Sequence, residues 1–253
     1  MIGIIGGTGI AGLLKNGEEK IVKNKYGEAK VLIDENNGVV LLSRHGLNHS
    51  TPPHKINYLA NMYALKQLDV KRILSLNAVG SLKVEIEPSS FLVANDFIEF
   101  TKVRKSTFYE GEDGKVAHVN MLDPFCSDLR GILKGILDKR QYGYNEGTYV
   151  CTEGPRFETI AEINMYKHWG HVVGMTAYPE VSLAKELEMC YCSLCNISNY
   201  CSGIKDSDLT VDEVLDTVKS MEAKIVNVVD DFINYKFGER TCPCKDVMKN
   251  AFI

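Results

Sequence analysis

The chain has 253 residues, of which 45% are hydrophobic and 25% are charged, and its formal net charge is -4 at pH 7. This composition suits one α/β domain with a sizeable core, and it offers no basic face to nucleic acid or to an anionic membrane surface. Since no apolar window reaches the length of a membrane span and no leader-like segment opens the sequence, we expect a cytoplasmic protein without membrane or nucleic-acid partners.

Apolar, β-branched segments alternate with helical patterns along the chain. Strands are predicted at 2–5, 30–34, 39–43, 72–77, 91–93, 148–151, 172–175 and 189–197, and helices at 57–68, 126–139, 159–169, 179–187 and 210–234. This alternation predicts an α/β fold with a largely parallel, twisted sheet flanked by helices. The charged segment 102–115 is expected to be a surface loop. No repeat or linker divides the sequence, which predicts a single domain over 1–253 with a C-terminal tail from about 236.

Eight cysteines are more than usual for this length. Cys190, Cys192 and Cys195 share one apolar run, where cysteine behaves as a small buried hydrophobe. No Cys-x-x-Cys pair is matched by a second at zinc-ribbon spacing, so we expect no structural metal site. Cys242 and Cys244 lie in a short, polar-flanked segment that is expected to be exposed. Two free thiols are favoured there over a metal site or a disulfide.

The predicted strands end in residues that suit a small oxyanion. The first ends in GGTG (6–9), another in SRHG (43–46) and a third in NAVGS (77–81). In sheets of this kind, ligands bind at the carboxyl ends of the strands. We expect glycine backbone N–H groups, hydroxyls and one arginine to converge there. This set of donors predicts a phosphate site.

Residues 7–12 also match GxGxxG, and an acidic pair, Asp34 and Glu35, follows at roughly the spacing of a dinucleotide site. An NAD-dependent oxidoreductase is therefore a remote alternative. In a dinucleotide unit a helix follows the last glycine, whereas 13–20 is too short and polar for a secure one. The glycine loop is better explained as a cradle for one phosphate.

Five segments resemble, in the same order, the nucleoside phosphorylases, in the branch that contains methylthioadenosine phosphorylase and trimeric purine nucleoside phosphorylase. They are GGTG (6–9), SRHG with PPHKINYLAN (43–46 and 52–61), NAVGSL (77–82), TEGPRFET (152–159) and GMTAYPEVSLAKELEM (174–189). The resemblance runs from Met1 to about Asn234. It implies a mixed sheet flanked by helices, and cleavage of a purine nucleoside by phosphate into free base and sugar 1-phosphate. No metal or organic cofactor is implied, because phosphate is a co-substrate.

The resemblance also assigns roles to individual residues. It places phosphate against Thr8, Arg44, His45, Asn77, Ala78 and Thr176, the sugar on Met175, and the base on Phe157. It places Val211, Val214 and Leu215 at the 5' end of the sugar, with His118 supplied by a neighbouring subunit in a homotrimer or a dimer of trimers. Each residue taken alone also fits a structural role: Met175 and Phe157 as core, His45 at a strand end, and the three aliphatic residues as helix packing.

The choice of base depends on Glu158 and Asn199. Asn199 and Cys201 stand where the methylthioadenosine branch has aspartates, in a loop expected after strand 189–197, and Glu158 matches the residue with which 6-oxopurine phosphorylases hold the base. An ionised Glu158 accepts from the N1–H of hypoxanthine and repels the bare N1 of adenine, while Asn199 can donate to N7 or O6.

We therefore expect phosphorolysis of a 6-oxopurine nucleoside, with S-methyl-5'-thioinosine favoured and 5'-deoxyinosine or inosine also possible substrates. Asn199, His45 and Arg44 are the expected catalytic residues. Methylthioadenosine phosphorylase is the alternative, and a hydrolytic nucleosidase or a purine-binding protein without catalysis stays open.

Overall fold

The computed structural model describes residues 1–7, 17–46, 50–111, 114–205 and 210–253. The strands are β1 (Ile2–Gly6), β2 (Glu18–Asn24), β3 (Gly27–Asp34), β4 (Val39–Ser43), β5 (Arg72–Ser81), β6 (Phe91–Phe100), β7 (Tyr144–Thr152), β8 (Val172–Gly174) and β9 (Cys190–Tyr200). The α-helices are α1 (Tyr58–Gln67), α2 (Ser127–Lys139), α3 (Ile160–Tyr166), α4 (Ala177–Glu186) and α5 (Val211–Ile233). Short 3-10 helices lie at Pro53–Lys55 and Pro243–Asp246.

The strands of the described residues form one mixed sheet in the order β2-β3-β4-β1-β5-β8-β7-β6-β9. β5 pairs with β9 as well as with β8, so the second half of the sheet closes on itself. β1, β4, β5 and β9 run parallel to one another, which brings their carboxyl ends to the same edge. The expected mixed, largely parallel sheet is confirmed, and this edge is where a ligand site is expected.

Helices cover both faces of the sheet, because alternate strand residues point to opposite sides. Ile5 of β1 packs in a cluster with Leu59 and Met62 of α1 and Val181 of α4. Ile4 points the other way, into a cluster that α2 and α5 complete with residues such as Leu133 and Phe232. Burial of these two apolar clusters fixes the register of β1 and holds its last residue at the ligand edge.

Several boundaries differ from the predicted ones. β2 was not expected, because its residues are mostly exposed and polar, as suits the edge strand of a hairpin. β5 continues beyond 77 to Ser81, and β9 continues beyond 197 through the buried residues Ser198 and Asn199 to Tyr200. β9 therefore contains Asn199, which was expected in a loop.

Cys242 and Cys244, in the segment that follows α5, were expected to be exposed, and this was wrong. Phe237 packs against the cluster of α2 and α5, and Cys242 and Cys244 are buried in it. The polar residues that flank the two cysteines in the sequence gave no indication of this burial. None of the helices in the described ranges combines the length and the apolar character that crossing a membrane requires.

Candidate active site

A cavity of about 770 Å³ opens at the shared carboxyl edge of β1, β4, β5 and β9. It is lined by Gly7 after β1, by Arg44 and His45 after β4, by Ala78 to Gly80 in β5, and by Asn196, Ser198 and Asn199 in β9. Phe157, Glu158, Met175 and Thr176 line it from the loops after β7 and β8. One cavity therefore collects most of the residues that were predicted from separate motifs.

Arg44 lines this cavity, is buried, and forms an ion pair with Glu180 of α4. Its Nε and Nη2 donate to the two carboxylate oxygens of Glu180 at 2.8 and 3.0 Å. Nη2 also donates to Ser75 Oγ at 2.7 Å, and Nη1 donates to the Leu76 carbonyl at 2.8 Å. Burial opposes the charge of Arg44, but the attraction of Glu180 outweighs it and raises the pKa of the guanidinium. These bonds use four of its five N–H groups and leave one on Nη1.

Thr176 lies at the N-terminus of α4, and a second buried network orients its hydroxyl. Asn77 Nδ2 donates to Thr176 Oγ1 at 3.0 Å, while Asn77 Oδ1 accepts from Ser75 Oγ and Ser193 Oγ, each at 2.9 Å. The Thr176 backbone N–H donates to the Tyr149 hydroxyl at 3.4 Å. Asn77 itself does not line the cavity, whereas its neighbour Ala78 does. Asn77 thus contacts the hydroxyl of Thr176 without itself lining the cavity.

His45 faces the glycine that follows β1. The Thr51 carbonyl can only accept, so the 2.8 Å contact assigns a proton to Nδ1 of His45. A Cβ on Gly7 would lie 3.1 Å from Cδ2 of the ring and 3.5 Å from Nε2. Glycine at this position therefore allows the imidazole to approach the backbone. Thr8, the next residue of the predicted phosphate loop, lies outside the described residues.

Asn199 reaches the cavity from an irregularity in β9. The register between β5 and β9 shifts at Val79 and Gly80, so that Ile197 pairs with Val79 but Asn199 pairs with Gly80. Bulges of this kind re-aim side chains near ligand sites. Asn199 Oδ1 accepts from Ser198 Oγ at 2.7 Å, and Nδ2 donates to the Tyr200 carbonyl at 2.9 Å. One N–H of the amide is left for a ligand.

Glu158 and Phe157 border the cavity in the loop between β7 and α3. Thr152 Oγ1 donates to Glu158 Oε1 at 2.6 Å, and Ser202 Oγ donates to the Glu158 carbonyl at 3.2 Å. Burial raises the pKa of Glu158, and the Thr152 hydrogen bond opposes that shift. Phe157 is partly exposed at the rim. A carboxylate that accepts hydrogen bonds and an aromatic ring are thus adjacent at one end of the cavity.

Arg104 joins this loop to the residues after β8. Its side chain, 2% exposed, donates to the carbonyls of Thr152, Glu153, Met175 and Tyr178 at distances from 2.7 to 3.2 Å. It also pairs with the Glu153 carboxylate at 2.9 Å. The expectation that 102–115 is only a surface loop was therefore wrong for Arg104, whose buried side chain links two loops of the site.

The start of α5 supplies an apolar wall. Val214 and Leu215 line the cavity, and Val218, one turn further on, joins them. Val211 does not line it and is 60% exposed. His118 is also absent from the lining within this chain. It is exposed, and its backbone N–H donates to the Ala251 carbonyl at 2.7 Å.

The family profile described as the phosphorylase superfamily matches residues 1–234. The chain belongs to this superfamily. The expected family is thereby confirmed, and with it the nucleoside phosphorylase fold and activity class, a pentosyl transfer. The match ends close to the last residue of α5.

Individual relatives extend over the whole chain. This phosphorylase is 64% identical to a probable S-methyl-5'-thioinosine phosphorylase of Methanocaldococcus jannaschii, over 253 residues and 100% of both chains. It is 48% identical to a probable 6-oxopurine nucleoside phosphorylase of Dictyoglomus turgidum, covering 98% of this chain and 96% of the other. A methylthioadenosine phosphorylase from an antarctic soil metagenomic library superposes with a TM-score of 0.87 at 31% identity, covering 100% and 92% of the two chains. The oxidoreductase alternative finds no support among these relatives.

Glu180, Arg104 and Asn196 are among the residues of the phosphorylase site that were not predicted. Glu180 could have been noticed as a lone acid among the apolar residues at the start of α4, where a buried carboxylate needs a cationic partner. Arg104 gave no such signal, since it stands in a charged segment. Asn196 lines the cavity, and its buried Nδ2 has no hydrogen-bond partner among the described residues. An unpaired buried donor in a cavity is a candidate contact for a ligand.

Proposed function

We propose that this phosphorylase cleaves 6-oxopurine nucleosides, with S-methyl-5'-thioinosine as its preferred substrate and 5'-deoxyinosine or inosine as poorer ones. One observation carries this proposal: Glu158, an acceptor, and Asn199, with an amide N–H to spare, border the same cavity. Hypoxanthine presents N1–H to the former and N7 or O6 to the latter. Adenine presents a bare N1, an acceptor, to the acceptor Glu158. It also has an amino donor where hypoxanthine has O6.

The 5' end of the sugar is assigned to the wall of Val214, Leu215 and Val218. A methylthio group or a deoxy carbon buries apolar surface against these side chains, whereas the 5'-hydroxyl of inosine would lose its hydrogen bonds to water there. This argument favours the methylthio nucleoside over inosine. Met175 and Phe157 then pack against the ribose and the base, in the roles expected from the sequence.

Phosphate is assigned to the end of the cavity that contains Arg44, His45, Ala78 and Thr176, with Thr8 as the expected hydroxyl of the glycine loop. The remaining N–H of Arg44 and the hydroxyl of Thr176 both donate to an oxyanion. A phosphate held there lies beneath the sugar and can attack C1' as the bond to N9 breaks. Its negative charge stabilises the positive charge that develops on the sugar.

The electron pair of the broken bond passes to the purine, and negative charge collects on N7 and O6. Asn199 donates to the base where this charge develops, and it is the residue proposed to assist the leaving group. His45, fixed through Nδ1, would orient phosphate and the ribose hydroxyls. In this scheme Asn77 acts through Thr176 and does not contact phosphate.

We further propose that the active assembly is a homotrimer or a dimer of trimers, in which His118 completes the 5' end of a neighbour's site. The exposed position of His118, outside the cavity of its own chain, supports this arrangement. The reaction needs phosphate as co-substrate and no organic cofactor. A cytoplasmic location and a single domain stay predictions.

The test compares base release from S-methyl-5'-thioinosine and from methylthioadenosine, each with and without phosphate. Phosphate-dependent release of hypoxanthine, at least about 100-fold faster than release of adenine, is expected from the unpaired groups that adenine would leave. Faster release of adenine would instead assign the chain to methylthioadenosine, the substrate for which the metagenomic neighbour is named. Release that does not depend on phosphate would indicate a hydrolase.

A further inference from the structure

The side chains of four of the eight cysteines form one cluster, on the sheet face that α2 and α5 cover. Cys126 immediately precedes α2, Cys190 is the first residue of β9, and Cys242 and Cys244 flank the start of the C-terminal 3-10 helix. Their Sγ atoms all lie within 4.8 Å of one another. The four residues are between 0% and 4% exposed. The fold thus brings together thiols from a stretch of the chain that runs from residue 126 to residue 244.

The spacing of these sulfur atoms is close to that of a tetrahedral metal site. Zinc–sulfur bonds of about 2.3 Å in a tetrahedron place the sulfur atoms about 3.8 Å apart. Cys190 Sγ lies 3.3 Å from Cys242 Sγ, and no two of the four sulfur atoms are more than 4.8 Å apart. Shifts of less than about 1 Å in side-chain position would therefore produce the required geometry.

The surroundings of the cluster suit negative charge. Lys185 of α4 is 3% exposed, and its ammonium group lies 3.7 Å from Cys244 Sγ. Within the described ranges, no carboxylate forms an ion pair with it. A buried ammonium needs a counter-charge, and a thiolate at Cys244 provides one.

From this arrangement we propose a structural Zn²⁺ site formed by the thiolates of Cys126, Cys190, Cys242 and Cys244. Soft sulfur ligands in a tetrahedral set select zinc among the common divalent ions. The ion would join α2, β9 and the C-terminal segment, and Lys185 would offset part of the negative charge of the tetrathiolate complex. The absence of paired Cys-x-x-Cys motifs is explained by the ligands' origin on three separate elements.

Two disulfides are the competing use of the same four thiols. Disulfides need only pairwise proximity, whereas here each sulfur is close to all three others. Conversion to disulfides would also remove the thiolate that faces the buried ammonium of Lys185. Both features favour the metal, and the experiment separates the two outcomes.

The experiment measures the zinc content of the whole protein, expressed with zinc and purified in a reducing buffer without chelator. One zinc per chain is expected in the native protein and in Cys192→Ala, a matched control two residues from Cys190 on β9. No zinc is expected in the double variant Cys242→Ala, Cys244→Ala. Loss of the site should lower the unfolding midpoint of that variant by about 10 °C or more relative to Cys192→Ala.

A second readout does not depend on the variants' folding. Protein stripped of metal and reconstituted with Co²⁺ should show the intense thiolate-to-cobalt charge-transfer absorption of a tetrathiolate site, and zinc should displace it. Native protein without bound metal, or an intact mass lower by four hydrogens, would overturn the proposal, the latter in favour of two disulfides. Iron in place of zinc would overturn the identity of the ion.

Discussion

Asn77 Nδ2 donates to Thr176 Oγ1 over 3.0 Å, and this bond determines where the hydroxyl proton of Thr176 points. Because the threonine oxygen accepts from the amide, its own hydrogen is left to donate into the cavity. The amide of Asn77 is held in this orientation by the hydroxyls of Ser75 and Ser193, which both donate to Oδ1. A residue outside the cavity lining thus fixes a donor inside it.

Asn77→Asp should weaken phosphate binding while leaving the side-chain shape unchanged. The new carboxylate can only accept, so the Thr176 hydroxyl turns toward it and away from phosphate. The added negative charge also repels the anion. We expect the KM for phosphate to rise by about 10- to 100-fold, the equivalent of one hydrogen bond to a charged group. Phosphate saturation at fixed nucleoside concentration measures this.

Thr176→Ser is the control for that experiment, since it keeps the hydroxyl and should change the KM for phosphate by no more than a few-fold. An unchanged KM in Asn77→Asp would mean that Thr176 does not donate to phosphate.

The ion pair between Arg44 and Glu180 should stabilise the fold as well as hold the arginine in place. Glu180→Gln leaves a buried guanidinium without its counter-charge, which costs about 3–5 kcal/mol. For a chain of this size the unfolding midpoint should fall by roughly 6–20 °C. The double variant Arg44→Met, Glu180→Leu removes both charges and should recover most of the stability without recovering activity.

Thermal unfolding and phosphorolysis assays of the single and double variants test this prediction. A double variant that is no more stable than Glu180→Gln would show that packing, and not the unpaired charge, accounts for the loss.

The ends of strands were the part of the site that could be predicted from sequence. Gly7, Arg44, His45 and Ala78 each follow or end an apolar run, and parallel strands carry their carboxyl ends to one edge. Each apolar run and the residues that end it are adjacent in the sequence. That parallel strands end at the same edge is a general property of such sheets. The mixed sheet and its flanking helices could be predicted for the same reason.

The pairing of these residues with their partners was not predictable, because the partners come from remote parts of the chain. Glu180 is 136 positions from Arg44, and no local pattern links them. Arg104 stands among charged neighbours and resembles a surface residue, although its side chain is buried. Asn199 was expected in a loop, since the sequence does not reveal the register shift that keeps it in β9. Cys242 and Cys244 were misjudged because their flanking residues are polar.

Arg104→Lys should disrupt the site far more than Arg156→Lys, although Arg104 contacts the loop between β7 and α3 and Arg156 belongs to it. A lysine ammonium cannot reach all the carbonyls that the planar guanidinium of Arg104 spans. We expect kcat/KM to fall by about 10- to 100-fold, as misplacement of positioning groups produces. Arg156 is 64% exposed and pairs with Glu162, so its replacement should leave kcat/KM within about two-fold. Equal effects would contradict the role assigned to Arg104.

Asn196→Leu should raise stability and lower activity. The buried Nδ2 of Asn196 has no partner among the described residues, and an unsatisfied buried donor costs about 1–3 kcal/mol. Leucine has a similar volume and no polar atoms. We expect the unfolding midpoint of the unliganded protein to rise by about 2–12 °C while kcat/KM falls. Higher stability with unchanged kcat/KM would show that Asn196 does not contact substrate.

Base selectivity should depend on pH through Glu158. Burial raises its pKa above the usual range of a glutamate, so on acidification it becomes protonated before exposed carboxyls do. The ionised form accepts from N1–H of hypoxanthine, and the protonated form can donate to N1 of adenine. The ratio of kcat/KM for S-methyl-5'-thioinosine to that for methylthioadenosine should therefore be highest at neutral pH and fall as pH decreases.

Glu158→Gln provides the matched comparison, because its amide can donate or accept at every pH. Its selectivity ratio should be lower than that of the native protein at neutral pH, by about 10-fold or more, and should not change with pH. The two proteins should then approach each other at acidic pH, where the native carboxyl is protonated. A native ratio that stays constant on acidification, or a variant that keeps full selectivity, would remove Glu158 from base recognition and leave Asn199 as the discriminating residue.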